Sequence, residues 1–285
     1  MRKFVQALTA TSLFVMTVTT ASTPEFSAKD LARDEGKFAA FSVKDGMRAA
    51  FLEFFADQSW LLRPGLVDAK AWLQAQTDPP IVLDWKSQRT ILSASGDLGF
   101  STGPWIRPSK STPNAPAAHG QFFSVWQKQK SVEWKVLIDH CISHDPPATP
   151  DALPATPLVA LNLTALKRDA PVYDAEKDFV HHANKVPSRF SYIDRVTDHT
   201  VLLRDGQFPI VGKAAVMAYV NAQAGQWEWT PTLQGAPSTN DFAYVVGNVD
   251  GKTQKGEPHR GRTYASGYEM LAAKHLHAGR LRRKS

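Results

Sequence analysis

Two seven-residue stretches, Asp57-Gln-Ser-Trp-Leu-Leu-Arg63 and Asp198-His-Thr-Val-Leu-Leu-Arg204, lie 141 positions apart. The likeness extends to both sides of them. Glu35-Gly-Lys-Phe38 answers to Glu176-Lys-Asp-Phe179 at the same offset, and Ser95-Gly-Asp97-Leu-Gly-Phe100 answers to Thr239-Asn-Asp241-Phe-Ala-Tyr244 at an offset of 144. Repeats of roughly 20–50 residues build solenoids. A much longer period leaves each copy room to bury its own core. The expectation is one unit built twice in tandem.

The ends of the chain differ from its body. Residues 1–22 have the parts of a secretory signal: Arg2 and Lys3, an apolar run from Phe4 to Val18, and small residues in Thr19-Thr-Ala21. The run is shorter than the roughly 20 apolar residues of a membrane span and is broken by threonines. Export to the periplasm or medium is expected, with no membrane contact after cleavage. The formal charge of +6 is concentrated in Arg2, Lys3 and a tail holding Lys274, Arg280, Arg282, Arg283 and Lys284. Without these seven the body carries one more acid than base, so a phosphate-gripping surface is not expected and nucleic acid is excluded as a partner. Cys141 stands alone and cannot close an intramolecular disulfide. It reads as a small buried apolar residue.

In the first half, Leu31, Phe38 and Phe41 recur near a helical period over Ser27–Ser42, and Met47, Ala50, Phe51 and Phe54 share a stripe over Lys44–Phe55. The repeated motif then reads as a strand turning at Pro64-Gly65, followed by a helix over Lys70–Gln76 that Pro79-Pro80 stops. Val82–Ser95 and Leu98–Ile106 read as strands joined by a hairpin at Gly96-Asp97. Gln121–Gln129 and Val132–Ile142 form another pair, the second alternating Val132, Trp134, Val136 and Ile138 against Glu133, Lys135, Leu137 and Asp139. Helices followed by antiparallel strands make an α+β unit. The expected organisation is a signal over 1–22, a first domain over 23–145, a proline-rich spacer over 146–157 and a second domain over 158–285. After Tyr268 nothing corresponds to Trp134-Lys-Val-Leu-Ile-Asp139, and helix-forming residues follow instead. The second sheet is therefore expected to lack its last strand, leaving an edge that a second copy of the chain would cover in a homodimer.

The Asp-x-x-Trp-Leu-x-Arg-Pro-Gly stretch, the hairpin Ser-Gly-Asp97-Leu-Gly-Phe-Ser-Thr-Gly-Pro-Trp105 and the closing Trp134-Lys-Val-Leu-Ile-Asp139 resemble the nuclear transport factor 2-like superfamily, and within it the SnoaL-like, DUF4440-type domain of exported bacterial proteins. The resemblance covers residues 27–144 and is weaker over 172–268. It implies tandem cone-like domains, each a strongly curved mixed sheet wrapped around N-terminal helices and enclosing an apolar pocket. Catalytic relatives use a carboxylate in that cone for acid–base chemistry on a bound ring or carbonyl. Binding of a small apolar ligand or self-association is the favoured function. The alternative is a lyase, isomerase or hydrolase.

Asp84 and Asp139 are the candidate carboxylates, because each interrupts an apolar strand run. Alternation alone does not say which face lines the cone. His140 and His144 follow Asp139, and His144 is the candidate base or orienting partner. Trp85, Phe100, Trp105, Trp126 and Trp134 are the expected pocket walls. The paired Asp57/Arg63 and Asp198/Arg204 read as structural, as do the turn residues Asp97 and Asp241. His181-His182 sit side by side on a helix, where neighbours diverge by about 100° and do not share an ion. No metal and no cofactor is expected.

Overall fold

The computed structural model describes residues 26–274 apart from 64, 113, 149–157, 164–173, 194, 223–224, 254–257 and 268–269, with the backbone alone over 251–274 and at a few other element ends. The expected signal, most of the proline-rich spacer and the basic tail after residue 274 lie outside these residues.

Helix α1 (Ala28–Asp45) begins at a capping box, in which Ser27 and Asp30 each accept the other's backbone N–H. Its buried stripe is Leu31, Glu35, Phe38 and Ser42, residues three or four apart and so on one face. Gly46, at φ +97°, ends α1 and opens α2 (Met47–Phe54), and a Cβ there would strike the Asp78 carboxylate. The chain continues through β1 (Phe55–Leu62), β2 (Leu66–Asp68), α3 (Ala69–Gln74), β3 (Asp84–Trp85), β4 (Arg89–Leu92), β5 (Leu98–Arg107), β6 (Ala118–Lys128), β7 (Trp134–His144) and β8 (Val159–Asn162). Then come α4 (Asp174–Ala183), α5 (Ser188–Tyr192), β9 (Val201–Arg204), β10 (Ile210–Val211), α6 (Lys213–Ala222), β11 (Gly225–Gly235), β12 (Tyr244–Thr253), β13 (Pro258–Gly267) and β14 (Met270–Lys274).

The architecture is α+β with two mixed sheets. One runs β2-β1-β7-β6-β5-β4-β8, with β3 also on β5, and the other runs β10-β9-β14-β13-β12-β11. Among the described strands only β1 with β7, β4 with β8, and β9 with β14 pair in parallel. In both sheets the strand that follows the helices pairs in parallel with the last strand of the meander.

Three expectations need correction. The second sheet does have a closing strand: β14 lies between β13 and β9, with Leu271 opposite Leu202. Met270-Leu-Ala-Ala-Lys274 has helix-forming composition, and pairing on both sides overrides that propensity. The strand Val159–Asn162, expected in the second domain, joins the edge of the first sheet instead, and its Asn162 side chain accepts the Ala28 N–H at the start of α1. Finally, the long strand expected over Val82–Ser95 is two short ones, β3 and β4, separated at residues 86–88.

The layers are helices, sheet, sheet, helices. Leu31, Phe38, Phe51, Phe55, Trp85, Trp126 and Val136 fill the space between α1–α3 and the first sheet. Phe38 is its hub, with ring contacts to Phe51, Phe54, Phe55, Trp85 and Trp126. Phe179, Tyr192, Leu202, Val216, Trp229 and Val245 do the same between the later helices and the second sheet. The outer faces of the two sheets meet each other, through Leu62, Leu98, Phe100 and Phe123 on one side and Leu203, Phe242, Tyr244 and Val246 on the other.

That contact is reciprocal. Asp241 Oδ2 accepts the N–H of Ala94 at 2.7 Å, and Asp97 Oδ2 accepts the N–H of Ser238 at 3.0 Å. Ser95 and Thr239 each donate to the aspartate two residues on, and their hydroxyls meet at 3.0 Å. Asp97 is partly buried, which alone pushes its carboxyl up, but the donors Ser95, Ser238 and Ser93 together hold it below its ordinary range. The two turn aspartates therefore join the sheets as well as shaping their own turns.

Candidate functional site

A cleft of about 80 Å³ opens at one end of the first core, between α2, the end of β1, β3 and the middle of the sheet. Its walls are Met47, Phe51, Leu83, Trp85, Trp105 and Phe122, with Asp139, Cys141, Arg63 and Arg107 as the polar groups. Trp105 lies across Gly120, its partner on β6, and donates its indole N–H to the Ile142 carbonyl at 3.1 Å. A Cβ on residue 120 would run into that indole, so the glycine makes room for the wall.

Asp139 reaches the cleft through a bulge. Along β6 and β7 the partners are Val125 with Ile138 and Trp126 with Val136, leaving Leu137 as the extra residue. Before the bulge Trp134 and Val136 face the helices; after it Asp139 and Cys141 do, while Ile138 and Ile142 face the second sheet. Unbroken alternation from Trp134 would have turned Asp139 away. Bulges of this kind re-aim a side chain beside a site.

Asp139 is 6% exposed and accepts the Ser124 hydroxyl at 2.9 Å. Burial raises its carboxyl to about 6, with the charge of Arg63 and the Ser124 hydrogen bond pulling the other way. Behind it lies Glu35, 1% exposed, whose Oε1 accepts the Trp85 indole and whose Oε2 accepts the Trp126 indole, both at 2.7 Å. Burial lifts Glu35 to about 8; the two indoles act downward, and the negative charge of Asp139 adds to the rise. Both carboxyls are thus pushed toward their neutral forms, Glu35 further than Asp139. Sequence reasoning placed Glu35 only in the repeat. The signal that could have found it is a carboxylate on the same helical stripe as Leu31 and Phe38.

Of the other expected residues, Trp85 and Trp105 line the cleft. Trp126 is buried deeper, on Glu35, and Trp134 stacks on Phe26 at 4.6 Å. Neither reaches the cleft. Phe100 is a correction: it faces the second sheet, with its ring 6.3 Å from Phe242, because it is an odd number of positions from Trp105 along β5 and so falls on the other face. Asp84 is half-buried and its carboxyl is raised by desolvation, but it lies between Leu83 and Trp85 and does not line the cleft. His140 stands opposite Phe123 on the face away from the cleft. His144 is displaced as well: it pairs across the strands with His119, its Nδ1 donates to the Asp145 carbonyl, and its ring lies 4.4 Å from Phe208 in a separate cleft between the sheets. It cannot orient Asp139. Cys141, expected to be buried, is half-buried and borders the cleft.

The repeated arginines share a structural device. Arg63 and Arg204 each donate to the carbonyl of the preceding leucine and lie over an aromatic ring of the helix that follows, Trp72 at 5.7 Å and Tyr219 at 5.9 Å. Asp57 is exposed and pairs with Lys70 at 2.7 Å. Among the described residues no group of three or more His, Cys, Asp or Glu could hold a metal ion, and no helix is long and apolar enough to cross a membrane.

No family profile and no curated protein matches the chain. Several solved structures are similar to it. A Δ5-3-ketosteroid isomerase from Mycobacterium sp. is 13% identical with a TM-score of 0.30, over 38% of this chain and 93% of its own. A nuclear transport factor 2-like superfamily protein from Salmonella enterica is 9% identical with a TM-score of 0.33, over 44% and 96%. A protein with a cystatin-like fold from Nostoc punctiforme is 16% identical with a TM-score of 0.32, over 45% and 99%. Each match spans less than half of this chain.

Proposed function

We propose that the first half of the chain binds a small organic molecule in the Asp139 cleft, as an exported nuclear transport factor 2-like protein of the SnoaL-like, DUF4440 type. The observation that carries the reading is a cleft walled mainly by aromatic and aliphatic side chains, into which a buried carboxylate and two arginines converge. Binding sites combine such walls with a few convergent polar groups. The cleft volume of about 80 Å³ favours a small ligand, or one that inserts only an end. Mass spectrometry of the purified full chain under non-denaturing conditions should detect a co-purifying molecule that Trp105→Ala releases. The same ligand load on both proteins would count against the cleft.

Proton transfer on the bound molecule is the second reading. It is favoured by Asp139 titrating at about 6, close to the range in which a carboxylate both accepts and returns a proton near neutral pH. A reaction that uses Asp139 as base should show a rate falling below an apparent pKa near 6 and should lose most of its rate in Asp139→Asn.

We further propose that the two sheets with their helices are copies of one unit in tandem. The support is the matching strand order, the reciprocal Asp97 and Asp241 bonds, and the presence in the inter-sheet core of residues at equivalent positions, Leu62 with Leu203 and Phe100 with Tyr244. A twofold contact is self-complementary in this way. The edge that motivated a homodimer is filled by β14.

A further inference from the structure

Resting on the ligand cleft proposed above, we propose that its occupant is a small organic carboxylate, with Arg63 and Arg107 receiving the charged end and the aromatic walls receiving the apolar body. Both guanidiniums border the cleft. Among the described residues neither lies within 4.0 Å of a carboxylate. The cleft sets two guanidiniums against one carboxylate, Asp139, and its polar groups therefore offer one more cation than anion to a ligand.

The cations are held in place before anything binds. Arg63 lies over Trp72 and Arg107 over Trp105, each 5.7 Å from the ring centroid. Arg63 spends one donor on the Leu62 carbonyl at 3.0 Å, and a guanidinium has five. The remaining fork suits the two oxygens of a carboxylate. Trp105 is shared, forming a wall of the cleft and the platform for Arg107, so a ring set against it also meets the cation.

The second half helps separate this role from a structural one. Arg204 repeats the carbonyl bond and the aromatic contact of Arg63, but it is buried, at 7% exposed. At the offset of 144 that relates the two hairpins, Gly251 occupies the position corresponding to Arg107. The repeated unit therefore keeps its strand-end arginine without needing the arginine of the cleft mouth. Asp139 is the opposing charge; it is buried beside Ser124, whereas Arg107 is exposed.

The test compares acids with their neutral amides: isobutyrate against isobutyramide, and benzoate against benzamide, titrated into the full chain by calorimetry with tryptophan emission alongside. Each acid should bind about tenfold or more tightly than its amide, the worth of a charge-assisted hydrogen bond. Arg107→Gln and Arg63→Gln should each lower the affinity of the acids by more than that of the amides, removing most of that preference. Arg107 is exposed, so its variant serves even if Arg63→Gln fails to fold. Amides that bind as well as the acids, or a preference that survives in both variants, would overturn the proposal and leave the cleft reading standing. If neither acids nor amides bind, the cleft reading fails and this inference fails with it.

Discussion

Replacing Glu35 by glutamine isolates the electrostatics of the first core. The carboxyl ionises at about 8 in the fold against an ordinary value of 4.5. Between those pH values the native chain keeps a proton that the unfolded chain has released. Its contribution to stability is therefore complete below about pH 4.5 and lost as pH rises through 8. The difference corresponds to about 5 kcal/mol, a large part of the roughly 5–15 kcal/mol that holds a domain together. Glutamine keeps the shape but offers one oxygen to two indoles, so Trp85 or Trp126 loses its acceptor at a cost of about 1–3 kcal/mol that does not vary with pH. The stability curves should cross. Wild type should be the more stable protein at pH 5 and Glu35→Gln the more stable at pH 8.5. Urea denaturation followed by tryptophan emission reads both curves, and Asp139 titrates in each, so their difference reports Glu35. A difference that stays constant across this range would refute the account of Glu35 as a buried neutral acid.

Asp97→Asn and Asp241→Asn should each destabilise by about 1.5–3 kcal/mol through loss of a charged acceptor for a backbone N–H across the sheets, and a double-mutant cycle in urea should show coupling of at least about 0.5 kcal/mol. Val132 holds φ 66° and is 68% exposed, so Val132→Gly should stabilise by about 1 kcal/mol, read as a shift in urea midpoint at unchanged slope. Gly120→Ala should destabilise by at least about 2 kcal/mol, because its Cβ meets the Ile142 carbonyl and the Trp105 ring, and should abolish binding in the cleft. Under the proposed export, terminal sequencing should find a start near Ser22 or Thr23, and intact Arg2 and Lys3 would count against cleavage.

The helices and most strands of the first half were legible because their apolar residues keep a helical or alternating period, and the Gly96-Asp97 hairpin because Gly96 marks a position at positive φ; the break at Gly46 fell inside the helix expected over Lys44–Phe55. The facing of residues around Asp139 was not legible, since it depends on the extra residue Leu137, and a bulge leaves no composition signature. Glu35 was missed for a different reason: this acceptor on α1 meets its two indole donors from β3 and β6, 50 and 91 positions away along the chain. β14 was missed because its residues prefer helix, and only the open space between β9 and β13 makes them a strand.

Register also explains why the two halves are not interchangeable. In the first sheet Leu61 stands opposite Asp139 across the parallel pair β1 and β7. In the second sheet Leu202, the counterpart of Leu61 at the offset of 141, stands opposite Leu271 across β9 and β14. The position that carries the buried carboxylate in one sheet is thus held by leucine in the other. A buried carboxylate costs stability unless it is neutral or paired, and leucine at the same place does not. The first half keeps the carboxylate together with the groups that partly offset its burial, Ser124 and Arg63. The second half keeps the strand order and the arginine device without the charge. That division is expected if chemistry or ligand recognition belongs to the first core and the second serves to cover the first sheet's outer face.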